Sequence, residues 1–226
     1  MSQEQIWAYY QNEAVDSFID AKSRLDYILK YAKKNSTLGS LLNIGCGSGY
    51  LEKAALSNAW KTSSLDPDQR AIDRLKAAGV DAHCGMIEKM PFADSSFDVV
   101  TCSEVLEHLS SEQLAVGILE IARVLKPSGL IIGTTPYKEN LPDNEFICIN
   151  CGVRSHRWGH HQSFDEGKMR NLLSANFQIK KLGPKYFPTW RTNWKGKMFN
   201  AALLAMSLCG ADGKTSNLFF AARKAA

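Results

Sequence analysis

Nowhere in the 226-residue sequence does an apolar run approach the roughly 20 residues that a membrane-spanning helix needs. The longest, Met198 to Cys209, is broken by Asn200 and Ser207. The first residues, Met-Ser-Gln-Glu-Gln-Ile-Trp, lack the basic start and apolar stretch of a secretory signal, so a cytoplasmic location is expected. In that compartment the six cysteines read as thiols or metal ligands, not disulfides. There is no internal repeat and no low-complexity segment, which excludes solenoids and fibres, and 45% apolar with 22% charged residues excludes disorder as the main state. Acidic residues are absent between Gly167 and Ala211, where eight basic ones stand: Lys168, Arg170, Lys180, Lys181, Lys185, Arg191, Lys195 and Lys197. The remainder holds 19 basic against 23 acidic residues, so the net charge of +4 joins an acidic body to a basic C-terminal segment.

What is present is a regular alternation. Residues 4–34 have apolar positions near helical spacing and read as helix in two pieces. Strands are expected at 40–44, 61–66, 80–84, 97–102, 130–134, 177–181 and 217–222, with helices at 50–58, 68–78, 112–125, 165–175 and 197–209. Strands and helices alternating through short joints predict an α/β fold with a doubly wound, mostly parallel sheet covered on both faces. The expected organisation is one domain: an N-terminal helical lid (1–36), a ligand-binding core (37–136), a polar Cys/His-rich insertion (137–164) and a C-terminal part (165–226) that faces the acceptor and closes the sheet.

The first strand runs into Gly45-Cys-Gly-Ser-Gly49. Glycines there allow a tight turn and a close backbone approach to a ligand at the carboxyl end of the sheet. The dinucleotide-binding fingerprint needs a further glycine where Tyr50 stands, so that match fails. Asp66, 21 residues after Gly45 and at the end of the next strand, is placed to accept both hydroxyls of a ribose. The pattern asks for a nucleoside without a pyrophosphate.

In these residues the sequence resembles the class I S-adenosylmethionine-dependent methyltransferases, type 11 and ubiquinone-biosynthesis-like. Leu41 to Gly49, Leu65-Asp-Pro67, Met90 to Val100, Ser103 to Leu109 and Arg123 to Gly129 look like five of their motifs in order, across about residues 38–136. The resemblance implies a Rossmann-like seven-stranded sheet and S-adenosylmethionine as cofactor. It implies that Gly45, Cys46, Gly47 and Gly49 back the methionine and ribose portions, and that Asp66 and Pro67 hold the ribose side. Ser103 and Glu104 would lie beside the sulfonium. Relatives often carry an acid where Met86 stands, so Met86 and the Ile87 backbone are expected to grip the adenine, with Glu88 as a displaced acid. Trp7, Tyr9 and Tyr10 are candidates to close over the cofactor.

Methyl transfer from a sulfonium is an in-line displacement, in which positioning and exclusion of water carry most of the catalysis. A hydroxyl acceptor also needs a base, for which His108 and His161 are candidates, with Glu104 beside them. Glu104-x-x-Glu107-His108 is similar to a divalent-metal motif of ubiquinone-biosynthesis and small-RNA methyltransferases, which makes a Mg²⁺ site completed by a later histidine such as His156 a second reading. Cys148, Cys151, His156 and His160 have the C-x2-C-x4-H-x3-H spacing of a structural Zn²⁺ site; the alternative is a reduced rim of the active site. Arg154 and Arg157 would suit an anionic acceptor. Lys185, Arg191, Lys195 and Lys197 interleaved with Tyr186, Phe187, Trp190, Trp194 and Phe199 leave three readings: RNA binding, an anionic membrane surface with the apolar 198–209 helix dipping in, or a solvated face with that helix covering the sheet or an acceptor pocket. The expected function is methyl transfer to oxygen or nitrogen of a small, anionic or lipid-linked metabolite of sugar or quinone-precursor type. RNA methylation, and cofactor binding without catalysis, are the alternatives; the acidic body argues against nucleic acid as partner.

Overall fold

Leu41, Leu42 and Ile44 are all buried, which a strand achieves only when both faces of its sheet are covered. The computed structural model describes residues 3–14, 18, 20–37, 39–189, 193–209 and 216–225. Two helices, α1 (Gln3–Asn12) and α2 (Lys22–Asn35), precede the sheet. Strands and helices then alternate as β1 (Ser40–Ile44), α3 (Tyr50–Ser57), β2 (Lys61–Asp66), α4 (Gln69–Ala77), β3 (Asp81–Cys84), β4 (Phe97–Ser103), α5 (Ser111–Val124) and β5 (Leu125–Pro136). A hairpin of β6 (Glu145–Ile147) and β7 (Arg154–His156) interrupts them before α6 (Glu166–Leu173), β8 (Phe177–Lys185), α7 (Trp194–Leu208) and β9 (Asn217–Lys224).

Seven strands form one sheet in the order β3-β2-β1-β4-β5-β9-β8. Only β9 runs against its neighbours. The expected seven-stranded, mostly parallel α/β sheet is therefore present. Side chains alternate between its faces: Leu41, Val99 and Phe219 pack with Ile28 and Leu51 on the α2/α3 side, whereas Leu42, Val100 and Phe220 pack with Ile118 and Met169 on the α5/α6 side. Helix starts follow local chemistry. Asp68 accepts the Arg70 N–H at 2.8 Å to open α4, and Ser110 with Gln113 forms a reciprocal cap on α5.

Strand order reverses between β1 and β4, and such a switch point leaves a crevice beyond the carboxyl ends of the strands. Every turn that carries an expected cofactor residue opens there. Several boundaries differ from expectation, with β5 starting at Leu125 and not at 130. β8 and β9 extend each other in a long antiparallel ladder, Phe177↔Lys224 to Lys185↔Asn217, that propensity alone undercounts. α7 begins three residues early, because Asn193 Oδ1 caps it by accepting the Gly196 N–H at 3.0 Å. The insertion, expected as a loop, contains the β6/β7 hairpin. Trp190 and Arg191 lie outside the described residues, as does the side chain of Trp7.

Candidate active site

A cavity of about 1160 Å³ lies at the carboxyl ends of β1 to β5. Its floor is the glycine turn. Gly45, Gly47 and Gly49 have φ of 81°, 49° and 75°. A Cβ on Gly45 would lie 2.6 Å from Val105 Cγ2, and one on Gly49 2.7 Å from Leu75 Cδ2, so both backbone angle and space require glycine. The turn delivers the Cys46 N–H to Asp66 Oδ2 at 2.9 Å, while the Asp68 N–H donates to Oδ1 at 2.9 Å. Asp66 is 1% exposed, and burial raises its pKa against the pull of those two backbone donors.

Helix α1 closes over this carboxylate. Gln11 Nε2 donates to Asp66 Oδ2 at 3.1 Å, and Gln11 Oε1 is buried with no hydrogen-bond partner. Arg74 ties the helix to the glycine turn, donating to Asn12 Oδ1 at 3.0 Å and to the Gly47 carbonyl at 3.2 Å. Tyr10 lines the cavity as expected, but Tyr9 does not and is exposed; one step along a helix turns a side chain by about 100°, which separates the two. Gln11, Phe18 and Arg24, which the sequence reading left out, line it instead. Their signal was weak: a Gln-Asn pair closing an aromatic helix, and an aromatic ring beside Gly47.

Past β3, Met86 and Ile87 line the cavity, Met86 partly exposed and Ile87 packed against Gly117. Glu88 joins them. Its Oε1 accepts from Gln113 Nε2 at 2.6 Å, and its Oε2 is buried without a partner. At the end of β4, Ser103 Oγ pairs with Thr134 Oγ1 at 2.8 Å and accepts from Arg24 Nε at 3.1 Å. Glu104 follows with φ of 58°, an uncommon angle for a side-chain-bearing residue, held by Thr134 Oγ1 at 2.9 Å and Asn217 Nδ2 at 3.1 Å on its Oε1.

The far wall carries His108, Glu139, Trp158 and His160. His160 Nδ1 lies 2.5 Å from Glu139 Oε2, so a carboxylate there accepts the Nδ1 proton and leaves the ring's lone pair on Nε2. His108 Nδ1 donates to the Gly159 carbonyl at 3.3 Å, and burial, with His160 next in weight, pushes its pKa down to about 3. Glu107 is fully buried with neither carboxylate oxygen hydrogen-bonded, and burial with Glu104 nearby raises its pKa well above the usual carboxylate range.

His161 is not among the lining residues: its backbone N–H is held by the Glu107 carbonyl at 2.7 Å and its side chain is exposed. Adjacent residues of a non-helical chain point to opposite sides, so it is His160 that faces the cavity. Arg154 and Arg157 are exposed and do not line it either.

The expected Cys2His2 site does not assemble. Cys148 and Cys151 lie in the tip of the β6/β7 hairpin, closed by the Gly152 N–H to the Cys148 carbonyl at 2.8 Å. His156 pairs with Glu145 at the other end. Three residues of strand put about 10 Å between them, well beyond what one zinc ion spans. Instead, Glu139, His156 and His160 bring ligand atoms within 4.8 Å of one another, and so do Glu107, His108 and His160. In the first group His156 Nδ1 accepts the backbone N–H groups of Trp158 and His160, at 3.3 and 3.0 Å, so its neutral ring carries the proton on Nε2, toward Glu139. That nitrogen offers no lone pair. Of these two groups among the described residues, Glu107–His108–His160 is the one that presents donors suited to a cation.

A family model described as a methyltransferase domain matches residues 42–133. The demethylmenaquinone methyltransferase of Chlorobaculum parvum is 40% identical over 92 residues, 39% of this chain and 37% of that one. Over this stretch the chain is similar to the class I S-adenosylmethionine-dependent methyltransferases. The matched part thus spans well under half of that relative's length. Among solved structures, the Burkholderia thailandensis 1,6-didemethyltoxoflavin-N1-methyltransferase with bound 1,6-didemethyltoxoflavin and S-adenosylhomocysteine is similar at TM-score 0.69 and 13% identity, over 99% of this chain and 87% of that one. The [4+2]-cyclase SpnF is similar at TM-score 0.66 and 20% identity, over 99% and 94%. These two bear on the fold, and the second carries a cyclase, so membership of the methyltransferase fold does not by itself decide a reaction.

Proposed function

We propose that the protein transfers the methyl group of S-adenosylmethionine to an oxygen or nitrogen of a small acceptor entering from the His108–His160 wall. One observation carries the reading: the expected cofactor residues and that wall line a single cavity of about 1160 Å³, just above the roughly 300–1,000 Å³ usual for small-molecule pockets.

Cofactor recognition follows from groups already in place. The glycine turn is a cradle that any Cβ would fill. Asp66 receives a ribose diol when Gln11 swings off Oδ2, and the unpartnered Glu88 Oε2 suits an adenine amino group, in the role the missing acid at Met86 would have had. Glu104 places negative charge next to the position expected for a sulfonium. When bound, the cofactor supplies an electrophilic methyl group. The protein's own part is to orient the acceptor, exclude water behind α1, and take a proton at His160 Nε2, whose tautomer Glu139 holds. Incubation with methyl-labelled cofactor and a metabolite extract tests this: label should pass to a small molecule. Tight S-adenosylhomocysteine binding with no labelled acceptor would favour a binding protein instead.

A metal-assisted version has one specific support, the buried Glu107 carboxyl with no partner. Glu107, His108 and His160 would hold a divalent cation, which would help orient an acceptor oxygen. Two imidazoles and one carboxylate suit Zn²⁺ or Mn²⁺ better than the Mg²⁺ expected from the motif. Elemental analysis of purified protein, compared with Glu107→Gln, tests it; no metal in either ends this version.

A further inference from the structure

Helix α7 turns Asn200 and Ser207 inward and several large apolar side chains outward. In a globular protein a surface helix turns its apolar stripe inward. Here the inward side carries Gly196, Asn200 and Ser207, with Leu203 and Leu204 half-buried among them. Asn200 is buried, with Nδ2 donating to the Thr189 carbonyl at 2.8 Å and to the Gly196 carbonyl at 2.9 Å, and with Oδ1 accepting from the Tyr186 hydroxyl. Ser207 Oγ accepts the Tyr186 N–H at 3.4 Å. Asn200 and Ser207 are thus spent on the body of the protein.

The outward side is apolar. Trp194 is 66% exposed, Met198 64%, Phe199 64% and Met206 53%, with Ala201, Ala202 and Ala205 exposed between them. An exposed apolar face of this kind marks an interaction surface. Charge selects among the candidates. Lys195 and Lys197 are exposed in the first turn beside Trp194, and no acidic residue occurs anywhere from 167 to 211. A second copy of this segment would offer those lysines no acidic partner. An anionic lipid surface complements them: apolar side chains enter the acyl boundary while lysine stems reach back to the headgroups. Fifteen residues make a helix of about 22 Å, short of the roughly 30 Å hydrocarbon core, so it lies along the surface. No helix among the described residues is long and apolar enough to cross.

We propose that α7 is an interfacial helix that seats this protein on an anionic membrane. Thr189, whose carbonyl receives the Asn200 bond, lines the cavity together with Phe187, so the seated helix adjoins the acceptor's route. The docking stands independently of the methyl-transfer reading. If both hold, the acceptor is amphiphilic and is taken up from the lipid surface.

Vesicle sedimentation tests it on the full chain. Expected is binding to vesicles of phosphatidylglycerol mixed with phosphatidylcholine, weakened by salt, and little binding to phosphatidylcholine alone. Met198→Ser with Phe199→Ser should weaken partitioning about ten-fold or more. Lys195→Gln with Lys197→Gln should weaken it roughly thirty-fold at low salt. All four side chains are exposed and outside the cavity, so S-adenosylhomocysteine binding by the variants should match the parent and reports that they fold. The proposal is overturned by no binding to anionic vesicles, by binding that ignores both double substitutions, or by a concentration-dependent dimer that Met198→Ser/Phe199→Ser abolishes without any vesicle binding.

Discussion

Asp66→Asn changes one atom and removes one charge, yet the structure predicts a double penalty. Both carboxylate oxygens of Asp66 accept backbone N–H groups, Oδ1 from Asp68 and Oδ2 from Cys46, each at 2.9 Å. An asparagine has one acceptor oxygen, so either orientation sets its NH2 against one of those N–H groups and leaves a buried donor unpaired. That costs about 1–3 kcal/mol. At about 2–4 °C per kcal/mol for a chain of this size, melting should fall by roughly 2–12 °C. Binding suffers separately. A ribose diol bonded to a carboxylate gains about 1.5–3 kcal/mol per charge-assisted hydrogen bond, and losing one such bond raises the S-adenosylhomocysteine Kd about 10- to 150-fold. Differential scanning fluorimetry without ligand reads the first effect and titration calorimetry the second. If Asp66→Asn melts with the parent and binds within two-fold, the account of the glycine turn and its acid is wrong.

Gly45→Ala should lower stability by about 1–3 kcal/mol and be partly rescued by Val105→Ala, because it adds a 2.6 Å clash to a φ of 81°; Gly152→Ala, strained but unobstructed, should cost less in the same urea titrations. Burial raises the Asp98 carboxyl, but Lys126 Nζ at 2.8 Å and the Ser40 N–H and hydroxyl at 2.8 and 2.9 Å outweigh it and hold its pKa below the usual value. Its contribution is present above the unfolded pKa of about 4 and lost as pH falls through the lower folded value, so the stability gap between parent and Asp98→Asn should close in acid; a gap constant with pH would contradict this. Glu139→Gln should leave S-adenosylhomocysteine affinity within two-fold and cut turnover about 10- to 100-fold once an acceptor is known, whereas unchanged turnover would remove His160 from the reaction. Cys148→Ser with Cys151→Ser should leave metal content and melting unchanged, since neither thiol meets the histidines; loss of a bound zinc would restore the Cys2His2 site.

Much of the glycine-turn side of the cavity was legible because its geometry is local. Gly45, Gly47 and Gly49 occupy five residues, Asp66 ends the next strand, and Ser103 and Glu104 end a third; parallel strands bring their carboxyl ends together whatever the loops do. Met86, Ile87 and Tyr10 fell on the cavity for the same reason. The other half was misread where local spacing was taken for proximity. Cys148-x-x-Cys151 and His156-x3-His160 look like one tetrahedral set, but a hairpin carries the cysteines to its tip and leaves the histidines at its base. His161 and His160 differ by a single residue, and only the path of the chain after Trp158 decides which one faces the cavity. Gln11, Phe18 and Arg24 come from sequence ahead of β1, at distances no spacing rule spans.

By itself, then, the sequence determined the alternation of strand and helix, the sheet that follows from it, and the glycine turn, because each depends on residues within a few positions of one another. The long-range pairings were left to the tertiary structure. It set the Glu139–His160 pair, the stranded carboxyl of Glu107, and the outward apolar face of α7, whose composition reads as core until Asn200 and Ser207 are seen turned inward. Those features depend on which side of an element meets the rest of the chain, and that is decided by packing between segments far apart in sequence.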